Sequence, residues 1–234
     1  MKNTIITLIL FLITNFFYAK EIQKISLPEI PKSIKFKGEF EVAYKWKDDN
    51  GLNYLVLSSS KIFIEKNNKE IQGGNEYGKF IYAQQSVILN EKSRLLWDIK
   101  DFERNCPFDL NLSFINNSIK VTDLDSNGIT ETLIAYKLSC RSDISPSLMK
   151  ILIHENQNKY GLRGQMRLLF PNQTFDETEY FEYNETKSSE SQRNELHHTE
   201  SEGRYKNERD FKNAPKVFLD FAIKNWKELS VEKL

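Results

Sequence analysis

Asp123-Leu-Asp125-Ser-Asn127-Gly128-Ile-Thr-Glu131 is the one stretch whose residue types and spacing together imply a chemistry. Oxygen-bearing side chains fall at its first, third, fifth and ninth positions, with glycine at the sixth. A tight loop of that pattern turns its carboxylates inward around a hard cation, and calcium is the usual occupant. Asp123, Asp125 and Glu131 would supply charged oxygens, Asn127 a side-chain carbonyl and Ile129 a backbone carbonyl, while Gly128 lets the chain reverse. Left unneutralised, carboxylates a few ångströms apart repel, and a divalent ion removes that repulsion. The competing expectation is a polar turn whose charges are balanced by Lys120, Lys137 or Arg141.

The pattern is not that of an EF-hand. Its twelfth position is Ile134 where that motif needs a bidentate glutamate, and strands rather than helices flank it. It resembles the strand–loop–strand calcium sites of integrin-type repeats. Here the loop occurs once, which argues against a propeller built from it. Downstream, Arg141 and Asp143 could grip a ligand, although the plainer expectation pairs Arg141 with a loop carboxylate and uses Asp143 or Ser145 as a helix cap. His197-His198-x-Glu200 has zinc-like composition but no fixed third ligand. His154 reads as a surface or boundary histidine on a strand. Tyr44, Trp46, Tyr54 and Trp97 could stack against sugars, with core packing the stronger expectation. No Gly-x-Ser-x-Gly nucleophile elbow is present, and no residue is assigned a catalytic role.

The elements that must position the loop are mostly strands. Phe40, Val42, Tyr44 and Trp46 alternate with charged residues, Asp48-Asp49-Asn50-Gly51 makes a turn, and Leu52 to Leu57 returns as the partner of a hairpin. Further strands are predicted over 61–65, 79–89, 94–101, 109–115, 118–122 and 132–139, and a hairpin over 150–155 and 159–169. Ser145-Pro146 predicts a short helical turn, with serine as cap and proline at the first helical position. From Pro215 on, Phe218, Phe221, Ala222, Trp226 and Leu229 share one face at helical spacing, which predicts a helix covering one side of a sheet. The fold class is therefore mainly β (α+β): an antiparallel sheet with a short helical turn and a C-terminal amphipathic helix.

The N-terminus predicts export. Lys2 precedes an apolar run from Ile5 to Phe17, and Ala19 suits a cleavage position before Lys20-Glu21, the pattern of a secretory signal peptide. No cysteine lies near that point, which excludes a lipoprotein anchor, and no later segment is long and apolar enough to span a bilayer. The expected divisions are a signal peptide over 1–19, an extended lead-in over 20–35, a β domain over 36–171, a polar insertion over 172–212 that is too poor in apolar surface to order from about 185 to 208, and the helix over 213–234. Lysine plus arginine equals aspartate plus glutamate, 33 against 33, so there is no electrostatic footprint for nucleic acid. In an exported chain, Cys106 and Cys140, which flank the acidic loop, are expected to form a disulfide.

Trp97-x-x-x-Asp101-Phe102, Cys106, Asp109, the loop residues Asp123 to Glu131, Tyr136, Cys140-Arg141-Ser142-Asp143, Ser145-Pro146, Lys150 and Lys159-Tyr160-x-x-Arg163-Gly164 together resemble a family of exported proteins of the Bacteroidetes and related bacteria. That family goes by the name of surface polysaccharide biosynthesis proteins. The resemblance covers roughly residues 36–170 and the terminal helix and is densest from 97 to 164; the polar insertion departs from the pattern. It implies a role in envelope or capsular polysaccharide and carries no active-site residues. The expected function is a periplasmic or surface-associated, non-catalytic accessory protein of envelope polysaccharide, with calcium as a structural ion and envelope polysaccharide or an envelope protein as partner. The alternatives are a secreted glycan hydrolase or lyase and a protein-binding β module.

Overall fold

The computed structural model describes residues 22–67, 74–172 and 202–234. The signal-peptide segment, the predicted strand over Thr178 to Tyr183, His197-His198-x-Glu200 and most of the polar insertion lie outside the described residues. Thirteen strands and one α-helix build the rest: β1 (Gln23–Ile25), β2 (Glu39–Asp48), β3 (Gly51–Ser59), β4 (Phe63–Asn67), β5 (Asn75–Leu89), β6 (Lys92–Cys106), β7 (Asp109–Phe114), β8 (Lys120–Thr122), β9 (Glu131–Arg141), β10 (Leu148–Glu155), β11 (Asn158–Gln165), β12 (Arg167–Leu169), α1 (Lys216–Leu229) and β13 (Val231–Lys233).

They form two antiparallel sheets and a small parallel pair. The first sheet runs β1-β2-β3-β5-β4, with β6 on the other edge of β5. The second runs β11-β10-β9-β7, with β8 also on β9. The predicted strands at 109–115 and 118–122 are both present, but they do not pair with each other. They lie end to end along one edge of β9, β7 against 136–141 and β8 against 131–133. That places the acidic loop in the β8–β9 connection, at one end of the second sheet.

The alternating side chains of each strand decide the layers. The two sheets face each other across a core that holds Trp46, Leu55, Ile81 and Trp97 from the first and Leu112, Ile134, Tyr136 and Leu152 from the second. The other face of the second sheet (Leu133, Ala135, Met149, Ile151, Ile153) packs on Phe218, Ala222 and Trp226 of α1. The helix thus buries the predicted face, with Phe221 and Leu229 at its margin. Trp46, Tyr54 and Trp97 are core residues, not a sugar platform. The second sheet is therefore covered on both sides. This corrects the reading of His154: the face of β10 opposite Ile151 and Ile153 meets the first sheet, not solvent, and His154 stacks on Trp97 at 4.0 Å. It is 2% exposed. Burial pushes its pKa down to about 3, so it is neutral at physiological pH.

The lead-in is structured. β1 pairs with β2, and Ile25, Ile30 and Ile34 cover Ala43, Tyr54 and Val56 on the outer face of the first sheet. At the other end of the chain, residues 202–211, grouped above with the polar insertion, are docked. Trp226 Nε1 donates to Gly203 O at 2.8 Å, and Phe211 is buried beside α1. Cys106 and Cys140 form the expected disulfide, with Cα atoms 5.7 Å apart, which joins the end of β6 to β9 and so one sheet to the other. No helix among the described residues is long and apolar enough to cross a membrane.

Ser145-Pro146 does not open a helical turn. The segment is extended up to β10, because Ser147 is claimed by a distant partner: its N–H and hydroxyl both donate to the Glu232 carboxylate, at 3.1 and 3.2 Å. Lys137 and Arg141 donate to the same carboxylate at 2.8 and 3.4 Å, which anchors β13 beside β12. Burial raises the Glu232 pKa, but the hydrogen bonds from Lys137 and Ser147 outweigh it and hold the group below its ordinary value of 4.5. A depressed carboxyl contributes stability that is present above the unfolded-state pKa and lost as pH falls through the folded one. Glu232→Gln is expected to cost about 1–2 kcal/mol at pH 7. The difference from wild type should shrink as pH falls through the depressed folded-state pKa of Glu232, as read by urea denaturation at neutral pH and in acid. A gap that persists undiminished in acid would show that the carboxylate's charge is not what matters.

Candidate metal centre

Three side-chain-to-backbone bonds wind the β8–β9 loop on itself. Asp125 Oδ1 accepts the Asn127 N–H at 3.3 Å, Asn127 Oδ1 accepts the Ile129 N–H at 2.7 Å, and Asp123 Oδ2 accepts the Gly128 N–H at 3.1 Å. These are the local bonds for which Asp and Asn are favoured in turns. Gly128 has φ +85°, a left-handed conformation that glycine adopts without strain. It also has a second reason to be glycine: a β-carbon there would collide with Asp49 Oδ2.

The fold brings Asp123, Asp125 and Glu131 together, with one oxygen of each lying within 4.8 Å of the others. Glu131 is the first residue of β9, and its side chain is fully buried. Its Oε2 accepts the Leu124 N–H at 2.8 Å and the Thr122 hydroxyl at 3.0 Å. Its Oε1 has no protein partner, and neither does the buried Oδ1 of Asp123. Burial drives the Glu131 carboxyl up to about 7, against the pull of the Leu124 and Thr122 bonds, and the Asp125 charge pushes the same way.

The lysines and arginine close in sequence do not relieve this. Lys120 pairs with Glu228 at 3.1 Å, and Lys137 and Arg141 pair with Glu232. Arg141 therefore pairs with Glu232 rather than with a loop carboxylate, and Asp143 is exposed with no helix to cap. Asn127 serves the loop rather than the cluster: its Oδ1 is taken by Ile129, and its Nδ2 donates to Asp125 and, at 2.6 Å, to Glu155. The carboxylates that converge are those of Asp123, Asp125 and Glu131.

Two distant turns grip the loop, and sequence reading missed both. Asp48 is buried at the end of β2. Its Oδ2 accepts the Thr130 N–H at 3.1 Å and hydroxyl at 2.7 Å, while Trp46 Nε1 donates to the same hydroxyl oxygen at 2.8 Å. The Asp49 N–H donates to Gly128 O at 3.1 Å, and Asn50 Nδ2 donates to Asn156 Oδ1 at 2.7 Å in the β10–β11 turn. One signal was legible: Asp48 continues the inward register of Tyr44 and Trp46, so alternation already aimed it at the core.

Two buried, unpartnered carboxylate oxygens, Asp123 Oδ1 and Glu131 Oε1, beside the Asp125 carboxylate are a donor set that suits a hard divalent cation. Glu131 itself has no exposed surface for a substrate to reach. No family model, curated protein or solved structure matches the chain.

Proposed function

We propose that this protein is an exported, non-catalytic accessory protein of cell-envelope polysaccharide whose β8–β9 loop holds one structural calcium ion. The observation that carries the ion is the fully buried Glu131 with an unpartnered oxygen, set against Asp123 and Asp125 with no cationic side chain among the described residues paired to any of the three. A buried, unpaired charge is among the costliest features a fold can hold, and an ion bound by all three acids removes the cost. Calcium fits better than zinc because every donor is oxygen. Bound there, the ion would tie β8 to β9 at the point where the turns at 48–51 and 155–158 converge, a structural role.

Export is supported by the signal-peptide pattern over residues 1–19 and by the disulfide, which persists in oxidising compartments. The link to envelope polysaccharide rests on the resemblance centred on residues 97–164. Isothermal calorimetry on chelator-treated protein tests the ion: one calcium per chain is expected for wild type and no binding for Asp125→Ala, with both proteins folded. Absence of binding heat in the wild-type protein at millimolar calcium, across two temperatures, would overturn the proposal.

A further inference from the structure

The lead-in covers the outer face of the first sheet only as far as Tyr82. Ser58 Oγ donates to Lys37 O at 2.6 Å, Gln84 Nε2 donates to Lys35 O at 2.9 Å, and Gly38 abuts the Tyr82 ring. Beyond that rim the face carries aromatic rings from adjacent strands: Phe63 of β4, Phe80 and Tyr82 of β5, and Phe102 of β6. Phe80 stands 5.4 Å from Phe63, 6.1 Å from Phe102 and 6.2 Å from Tyr82 between ring centroids. Phe63 lies flat on the backbone of Gly78, where a β-carbon would come within 2.6 Å of its ring, so it is seated and not free to swing. Phe102 is 50% exposed. A contiguous aromatic strip that the lead-in leaves uncovered on the outer face of a sheet marks a binding surface.

Its charge says what kind of partner fits. Lys100 Nζ sits 4.1 Å over the Phe80 ring, and Lys35 and Lys37 line the rim; all three lysines are exposed, and none has a carboxylate partner among the described residues. The acids nearby are largely spent: Glu65 is held by Arg104 and the Asn105 N–H, and Glu39 by Lys61. Of the β6 acids, Asp98 is the one that shares the face of Lys100 and Phe102, while Asp101 and Glu103 alternate to the other side. Aromatic rings offer flat apolar surface to the C–H faces of pyranose rings, and unpaired ammonium groups offer charge to acidic substituents.

We infer that Phe63, Phe80, Tyr82 and Phe102 with Lys35, Lys37 and Lys100 form the binding surface for an anionic polysaccharide, a step that rests on the envelope-polysaccharide reading and names its substrate class. The surface is independent of the acidic loop. Phe80 lies eight residues along β5 from Ile88, the residue beside the β2–β3 turn, a span of ~26 Å.

Affinity electrophoresis of the intact exported chain in EDTA tests it, with mobility in gels containing polygalacturonate, dextran sulfate or dextran taken relative to a gel without glycan. Retardation by an anionic glycan and none by dextran is expected, weakened about tenfold by Phe102→Ala and by Lys100→Gln. The first two gels distinguish carboxylate from sulfate as the recognised group. Both substitutions are at exposed positions, and an unchanged melting temperature confirms that the variants are folded. Equal mobility in all gels overturns the inference. So does retardation that Phe102→Ala leaves intact, since that is ion exchange without stacking. A chain that binds calcium but no anionic glycan loses this surface and keeps its structural ion.

Discussion

Millimolar calcium is expected to raise the melting temperature of the wild-type protein by roughly 5–10 °C over its value in EDTA, and to leave that of Glu131→Gln unmoved. The size follows from mass action: an ion at about 100 times its dissociation constant adds about 2.7 kcal/mol to the folded state. For a chain of this length each kcal/mol is worth about 2–4 °C. The substitution also separates an ion site from a merely acidic turn by the sign of its effect in EDTA. Glutamine keeps the oxygen that accepts the Leu124 N–H and Thr122 hydroxyl and removes the charge that Oε1 carries without a partner. Metal-free Glu131→Gln is therefore as stable as metal-free wild type or more so, while in calcium it is the less stable of the two. If wild type melts at one temperature regardless of calcium, or if Glu131→Gln is destabilised equally in EDTA and in calcium, the site holds no ion.

Removing the disulfide has an effect of similar or larger size. Cys106 and Cys140 are separated by 34 residues, and closing a loop of that length stabilises by about 4 kcal/mol in the chain-entropy model. The double substitution Cys106→Ala with Cys140→Ala lowers the melting temperature by roughly 8–16 °C. The bridge matters more here than a clasp within one sheet would. Cys106 ends β6 of the first sheet, Cys140 lies near the end of β9 in the second, and the acidic loop falls inside the closed segment. The doubly substituted chain is expected still to gain the calcium increment, because the loop is gripped by Asp48, Asp49 and Glu155 at the other end of β9. Retention of the wild-type melting temperature after full reduction would show that sheet packing alone sets stability.

Much of this molecule is written in local pattern. Alternation in Phe40 to Trp46 and the turn at Asp48 to Gly51 specify the first hairpin, and the spacing of Phe218, Ala222 and Trp226 specifies the helix and its buried face. The acidic loop is legible because its winding bonds join residues two to five positions apart. Short-range bonds depend on residue type and spacing, which a linear chain states outright.

What the chain could not state is which face meets which layer. Period-two alternation told that His154 opposes Ile151 and Ile153, but only the docking of both the first sheet and α1 onto the second sheet made both faces interior. The same holds for charge. Lys137 and Arg141 lie beside the acidic loop in sequence, yet they serve Glu232, 95 and 91 residues away, and Ser145-Pro146 gives up its helical turn for the same carboxylate. Asp48 reaches Thr130 across 82 residues. By itself the sequence determined the strands, the helix, the bridge and the acidic loop. Tertiary structure decided that Lys120, Lys137 and Arg141 pair away from that loop, because ion pairs follow distance in space and long-range packing alone sets that distance.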